Sequence, residues 1–194
     1  MMKNVGFVLV ASFLMLTTVH AQTSAKVKVN VELNPFQSIE IGSGAGTDGP
    51  ISAGYDDEVT LRYVNSDDYK LGVEKTIAKQ LKVTSIGSGF RIKATLSENG
   101  QFSKLYGNGD SKVNADQLLQ IAVGGKTSIN AAAQMDLGSF GASIGAEASV
   151  LDEELDVRYI GKPITSPTLL KQLLNNKDSQ ALYSIDVLYS ISAN

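Results

Sequence analysis

Carboxylates are the residues in this chain whose grouping could do chemistry. They cluster at Asp56-Asp57-Glu58, at Asp67-Asp68, and at Asp152-Glu153-Glu154 with Asp156. Two carboxyls facing each other across a cleft can serve as the acid and base of glycoside hydrolysis. Carboxylates joined by loop carbonyls can instead hold calcium. Neighbouring residues on a strand point to opposite faces, and none of the clusters has calcium-loop spacing, so each reads first as a solvated turn or edge. Asp67 and Asp68, beside the turn glycine Gly72, are the calcium candidates. No catalytic residue is assigned.

A second pattern, Gly44-Ala45-Gly46-Thr47-Asp48-Gly49, matches the spacing of a dinucleotide cradle. That chemistry needs a helix N-terminus directly after the loop, within a βαβ unit. Pro50-Ile51-Ser52-Ala53-Gly54 follows instead, so the stretch reads as a glycine loop and no cofactor is expected. The chain has no cysteine, and its one histidine, His20, falls in the N-terminal leader. Without imidazole or thiol, Ser-His-Asp and Cys-His sites are excluded, as are the usual zinc ligands. The formal net charge of −3 gives no electrostatic footprint for nucleic acid or anionic membrane.

The elements that must position these groups begin with a leader. Lys3 precedes an apolar stretch, Val5 to Val19, and Val19-His20-Ala21 places small residues as a signal peptidase requires. Residues 1–21 therefore read as a secretory signal peptide cleaved between Ala21 and Gln22. The apolar run is short for a membrane span, which takes ~20 residues, and no later run is longer. Export without cysteine leaves stability to packing alone. Residues 22–194 suit a single domain.

Along that domain the dominant period is two. Val27, Val29, Val31 and Leu33 alternate with Lys28, Asn30 and Glu32. Val59, Leu61 and Tyr63 form a second run, and Leu81 with Val83 a third. Phe90, Ile92, Ala94 and Leu96 follow, then Leu155, Val157 and Tyr159, and last Tyr183, Ile185, Val187, Tyr189 and Ile191. Ser139 to Val150 alternates between larger and small residues and reads as a flat strand. Ser66 to Gly72 reads as a turn with an aromatic anchor, and Asn99-Gly100 as a hairpin turn. One helix, over about 166–175, has Ser166 as cap and Pro167 in its first turn. Its apolar face is Leu169, Leu170, Leu173 and Leu174. Tyr63, Tyr159, Tyr183 and Tyr189 fall on core parities, whereas Tyr55, Tyr69 and Tyr106 fall in turns. The expected fold class is all-β: an antiparallel Ig-like or pilin-like β-sandwich with one short late helix.

The two ends of this pattern resemble exported pilin-type sandwiches of Gram-negative bacteria, in particular the alpha-type fimbrial major subunits. The N-terminal likeness rests on "VKVNVELNP" (Val27 to Pro35) and the C-terminal one on "YSIDVLYSI" (Tyr183 to Ile191). The chain is also similar to small exported sandwich proteins of unknown function from Bacteroidota. Asp68, Tyr69 and Gly72, with Leu81 to Ser85, carry that likeness. The fimbrial resemblance implies assembly by strand exchange, in which an N-terminal arm completes the sheet of the next subunit. Val27, Val29, Val31 and Leu33 would then be the plugs. The same residues serve equally as an intramolecular first strand, since period two does not say whose sheet they complete.

The expected function is thus that of an exported, non-enzymatic structural or adhesive protein of the periplasm, cell surface or extracellular space of a Gram-negative bacterium, as a fimbrial-type subunit. The expected partners are further copies of the chain, through strand exchange, and an envelope or host glycan. Nucleic acid is not among them, and no membrane span follows the signal. The alternative is a secreted glycan- or calcium-binding module, with a carboxylate hydrolase as the third reading.

Overall fold

Period-two alternation builds most of the strands, and pairing sorts them into three antiparallel sheets. The computed structural model describes residues 26–141, 148–174 and 180–194. The expected signal peptide and its Ala21–Gln22 cleavage point lie outside the described residues. Two units divide the chain, Met1–Leu33 and Asn34–Asn194, and all the described strands fall in the second. No described helix is long and apolar enough to cross a membrane.

In the first unit, the described residues 26–33 take part in no strand ladder. Val27, Val29, Val31 and Leu33 are 78%, 80%, 79% and 86% exposed. Among the described residues this segment therefore pairs with no strand. The alternation is present, and its apolar side chains are exposed.

The second unit opens with β1 (Phe36–Ile41), α1 (Ser66–Leu71), β2 (Val73–Ile86), β3 (Phe90–Leu96) and β4 (Gln101–Tyr106). It continues with β5 (Lys112–Asn114), α2 (Ala115–Leu118), β6 (Leu119–Val123), β7 (Ile129–Asn130) and β8 (Gln134–Phe140). Finally come β9 (Val150–Gly161), α3 (Pro167–Leu173), β10 (Leu182–Ser184) and β11 (Val187–Ala193). The sheets run β1-β2-β9-β6-β7, β11-β3-β8 and β10-β4-β5. The architecture is an antiparallel β-sandwich with the expected late helix, plus the two shorter helices α1 and α2.

The core lies between the first two sheets. Ile77, Leu81 and Val83 of β2, Val157 of β9 and Ile121 of β6 meet Phe90 and Ile92 of β3 and Leu137 of β8. All are at most 2% exposed. A smaller cluster joins Val113, Ile164 and Leu173 under Tyr63, Tyr69 and Tyr183. The leucine face of α3 packs there, and Ser166 caps the helix by accepting from Leu169 N.

Several expectations change. Val59, Leu61 and Tyr63 point inward as the alternation requires, but residues 58–64 form no strand. Ser66–Leu71 is a helix, because Asn65 and Asp68 complete a capping box around its first turn. Asn99-Gly100 makes no hairpin. The chain keeps its direction through Ser97–Gly100, since β3 pairs with β11 and β4 with β10 in the same antiparallel sense. Positive φ at Glu98, Asn99 and Gly100 loops out the surplus residues. Asp186 N meanwhile holds Ser97 Oγ at 2.9 Å across the break. Of the flat strand expected over 139–150, Ser139 and Phe140 close β8 and Val150 opens β9 in another sheet, and residues 142–147 lie outside the described residues.

The long pair β2–β9 carries a break of its own. Ile77 pairs with Val157 and Leu81 with Leu155, so Ala78, Lys79 and Gln80 face Asp156 alone. Lys79 takes φ 56° to absorb the surplus, and its N–H donates to Asp156 Oδ1 at 2.8 Å. The glycine loop then closes on the bulge: Gly42 N donates to Gln80 O (2.7 Å) and Gly44 N to Lys79 O (3.1 Å). A Cβ at Gly44 would lie inside the Ala78 carbonyl oxygen. Close backbone approach, not flexibility, is what these glycines provide. Gly44→Ala should cost about 1–3 kcal/mol through overpacking. Thermal unfolding followed by circular dichroism should show a Tm lower by roughly 2–10 °C; an unchanged Tm would mean that the loop does not press on the bulge.

Candidate functional site

The bulge turns Gln80 inward, and Gln80 starts a polar chain through the core. Its side chain is 2% exposed. Gln80 Nε2 donates to Asp57 Oδ2 at 2.6 Å, and Tyr159 Oη donates to Gln80 Oε1 at 2.9 Å. Tyr189 Oη lies 2.8 Å from Tyr159 Oη. The chain thus links β2, β9 and β11 with the loop before residue 58. Burial pushes the Tyr159 phenol up to about 12 even though its two hydrogen bonds pull it down. Burial, with Tyr159 beside it, pushes Tyr189 well above its ordinary value. Both phenols therefore stay neutral near pH 7 and act as fixed donors and acceptors.

Around this chain, carboxylates hold the main chain of residues 42–65. Asp57 Oδ1 accepts from Gly46 N (2.9 Å) and Glu58 N (2.8 Å). Asp48 Oδ2 accepts from Thr60 N at 2.8 Å, and its other oxygen pairs with Lys75 of β2. Asp68 Oδ2 accepts from Val64 N (2.7 Å) and Asn65 N (3.0 Å). Glu58 accepts from the N–H and hydroxyl of Ser52. Glu154 of β9 does the same for Ser43 and also meets Lys79 Nζ at 2.9 Å. Tyr55 Oη donates to Asp186 at 2.9 Å.

Residues 58–64 are therefore a strap beside the edge of β2. Three of its N–H groups, at Glu58, Thr60 and Val64, find carboxylates where a strand would find carbonyls. Between strap and sheet lies a cleft of about 440 Å³. Thr60, Leu61 and Arg62 line one side, and Val73, Glu74 and Lys75 the other. The Asp48 side chain, 3% exposed, joins the two sides by accepting from Thr60 N and pairing with Lys75.

The electrostatics follow from these bonds. Burial raises the Asp48 carboxyl, but Lys75 and the Thr60 N–H outweigh it and hold the group below its ordinary value. Ser52 lowers Glu58, and the Val64 and Asn65 N–H groups lower Asp68. The Ser43 hydroxyl, then Lys79, takes Glu154 down to about 2.

The three acidic clusters of the sequence are thus drawn into structural work. Asp57 and Glu58 anchor the strap, and Asp156 caps the bulge. Asp152, at φ 52°, sits at a second irregularity in the β2–β9 ladder. The calcium candidates Asp67 and Asp68 occupy the first turn of α1, where Asp68 is committed to the cap. Among the described residues no group of three or more His, Cys, Asp or Glu side chains could hold a metal ion.

The tyrosines divide much as expected. Tyr69 is the exception: it packs against Tyr63 (ring centroids 5.4 Å apart) in the smaller cluster. Tyr106 ends β4 and, like Tyr55, is about half exposed. Gln80, the link that joins everything here, escaped sequence reasoning because a polar residue at that parity reads as solvent-facing.

The opposed shifts of carboxyls and phenols set a pH window. A carboxyl held low in the fold stabilises it above the unfolded value and loses that effect as pH falls through the folded one. For Glu154 this runs from 4.5 down to about 2. A phenol held high stabilises the fold below its unfolded value and loses the effect as pH rises; for Tyr159 the window is 10.0 to about 12. Hydrogen exchange should therefore show residues 42–65 losing protection below about pH 4, before the β2–β9–β6 core. Protection that vanishes in both at one pH would contradict a separately held strap. Tyr159→Phe leaves Gln80 Oε1 without its donor and should cost about 1–3 kcal/mol in chemical denaturation, with a shallower loss of stability above pH 10.

No protein-family model matches the chain, and no curated protein matches it.

Proposed function

We propose that this chain is an exported structural or adhesive protein of the cell surface, a subunit that assembles through its N-terminal arm without enzymatic activity. One observation carries the reading: residues 26–33 hold a full period-two apolar side that is about 80% exposed, next to a unit, Asn34–Asn194, that has its own core. A free alternating segment is what strand addition uses, with main-chain bonds giving affinity and alternate side chains giving register. Lys26 and Lys28 on its other side limit unspecific pairing.

The energetics make the ladder decisive. Four aliphatic side chains contribute ~1.5–3 kcal/mol each when buried. Ordering the arm costs about 1–2 kcal/mol per residue, so the two roughly cancel. The main-chain bonds of a receiving strand edge, ~0.5–1.5 kcal/mol each, then decide the balance. An arm like this stays free until it meets a strand edge, which is the behaviour a subunit needs before assembly. Carboxylates committed to N–H groups and phenols held neutral leave the described site with fixed supports rather than proton-transfer groups. Export through the leader over residues 1–21 belongs to the same reading.

The test is Val29→Asp with Val31→Asp. Both positions are exposed, so Tm and circular dichroism should match the parent. Size exclusion and electron microscopy should show assembly abolished. A parent that stays monomeric at all concentrations, or a double variant that assembles as well as the parent, would sink the proposal.

A further inference from the structure

The strap and the arm carry the same pattern. Val59, Leu61 and Tyr63 alternate along one, and Val27, Val29, Val31 and Leu33 along the other. The strap covers the core beside β2 without pairing with it. β1 pairs with β2 only over Leu81–Ile86, and Gly42 and Gly44 cover Lys79 and Gln80. Toward its start, the same edge of β2 faces the cleft at Val73, Glu74 and Lys75. The carboxylates of Asp57, Asp48 and Asp68 stand where ladder bonds would be.

Resting on the arm-assembly reading above, we propose that residues 58–64 are a placeholder on the β2 edge, and that the arm of a second copy, residues 26–33, displaces them and pairs with Val73–Ala78. The exchange replaces three side-chain bonds to the strap with a main-chain ladder, and Val59 and Leu61 with valines of equal spacing. Charge fits as well. Glu74 is half-exposed on the outward side of this edge, facing Arg158 Nη1 of β9 at 3.8 Å, and the lysines of the arm's polar side would lie on its open side. Asp48 is the latch at this end of the strap, because its carboxylate ties the strap to β2 beside the cleft through Lys75 and Thr60 at once.

The chain has no cysteine, which makes cross-linking clean. A Lys28→Cys variant is mixed with a Glu74→Cys variant under mild oxidation. A parallel mixture uses Lys93→Cys, exposed on β3 of another sheet. All three positions are exposed, so folding is not at issue. The proposal expects the Lys28–Glu74 heterodimer at roughly ten times the Lys28–Lys93 yield. Equal yields, or a preference for Lys93, in material that still assembles would overturn the β2 edge while sparing the subunit reading. Absence of assembly in both mixtures would remove both. Asp48→Asn, introduced into the Glu74→Cys partner, should raise the cross-linking rate severalfold, and an unchanged or slower rate would overturn the placeholder role.

Discussion

The surplus of residues in β2 opposite Asp156 is the constraint on which the site depends. In a regular strand Gln80 would lie on the face opposite to Leu81. Because Ala78, Lys79 and Gln80 share one partner, Gln80 and Leu81 are both buried. A buried amide needs partners for its donor and its acceptor, since leaving either unmade costs more than the bond returns. Tyr159 and Asp57 supply them. Asp57 in turn fixes the loop at Gly46 and the start of the strap at Glu58. The same bulge turns the Lys79 and Gln80 carbonyls toward the glycine loop, and only glycines come close enough to use them.

Carboxylates do for residues 42–65 what neighbouring strands do elsewhere. A buried or half-buried N–H must be satisfied, and ladder bonds usually meet that need cooperatively. Here the strap's Glu58, Thr60 and Val64 N–H groups are each met by an aspartate side chain instead. Such bonds are strong because the acceptor is charged, but each depends on one ionisable group and one rotamer. The strap is thereby held firmly at neutral pH and still lacks the register of a sheet. Its inward side chains supply burial, and its backbone stays outside the ladder.

Much of the sandwich was legible in the sequence, and the failures have physical causes. Phe90, Ile92, Ala94 and Leu96, and Leu155, Val157 and Tyr159, are buried as their alternation requires. The α3 leucines and the Ser166 cap stand where sequence chemistry places them. β6 escaped notice because Leu119 to Val123 is a nearly continuous apolar run, with Leu119, Ile121, Ala122 and Val123 all buried, and so has no alternation to detect. Asn99-Gly100 misled because a positive φ signals a change of course without saying how large. Here it loops out Ser97–Gly100 and returns the chain to its line. The acidic clusters read as solvated edges because no local signal shows that a carboxylate will meet a distant N–H, such as Glu154 at Ser43.

Residues 58–64 and 26–33 show where alternation stops being informative. Period two states which side of a segment is apolar. It does not state whether that side will be covered, or whether the backbone will find a ladder. In the strap the apolar side is covered and the ladder is missing; in the arm both are missing. The difference lies in three aspartates, Asp48, Asp57 and Asp68, whose oxygens reach the strap's N–H groups. A segment held by side chains can yield its place to one that brings a ladder, because main-chain bonds add along the strand whereas the aspartates act one by one. Under the proposed exchange, the edge of β2 would have two segments of matching pattern to choose from, and backbone pairing rather than hydrophobicity would discriminate between them.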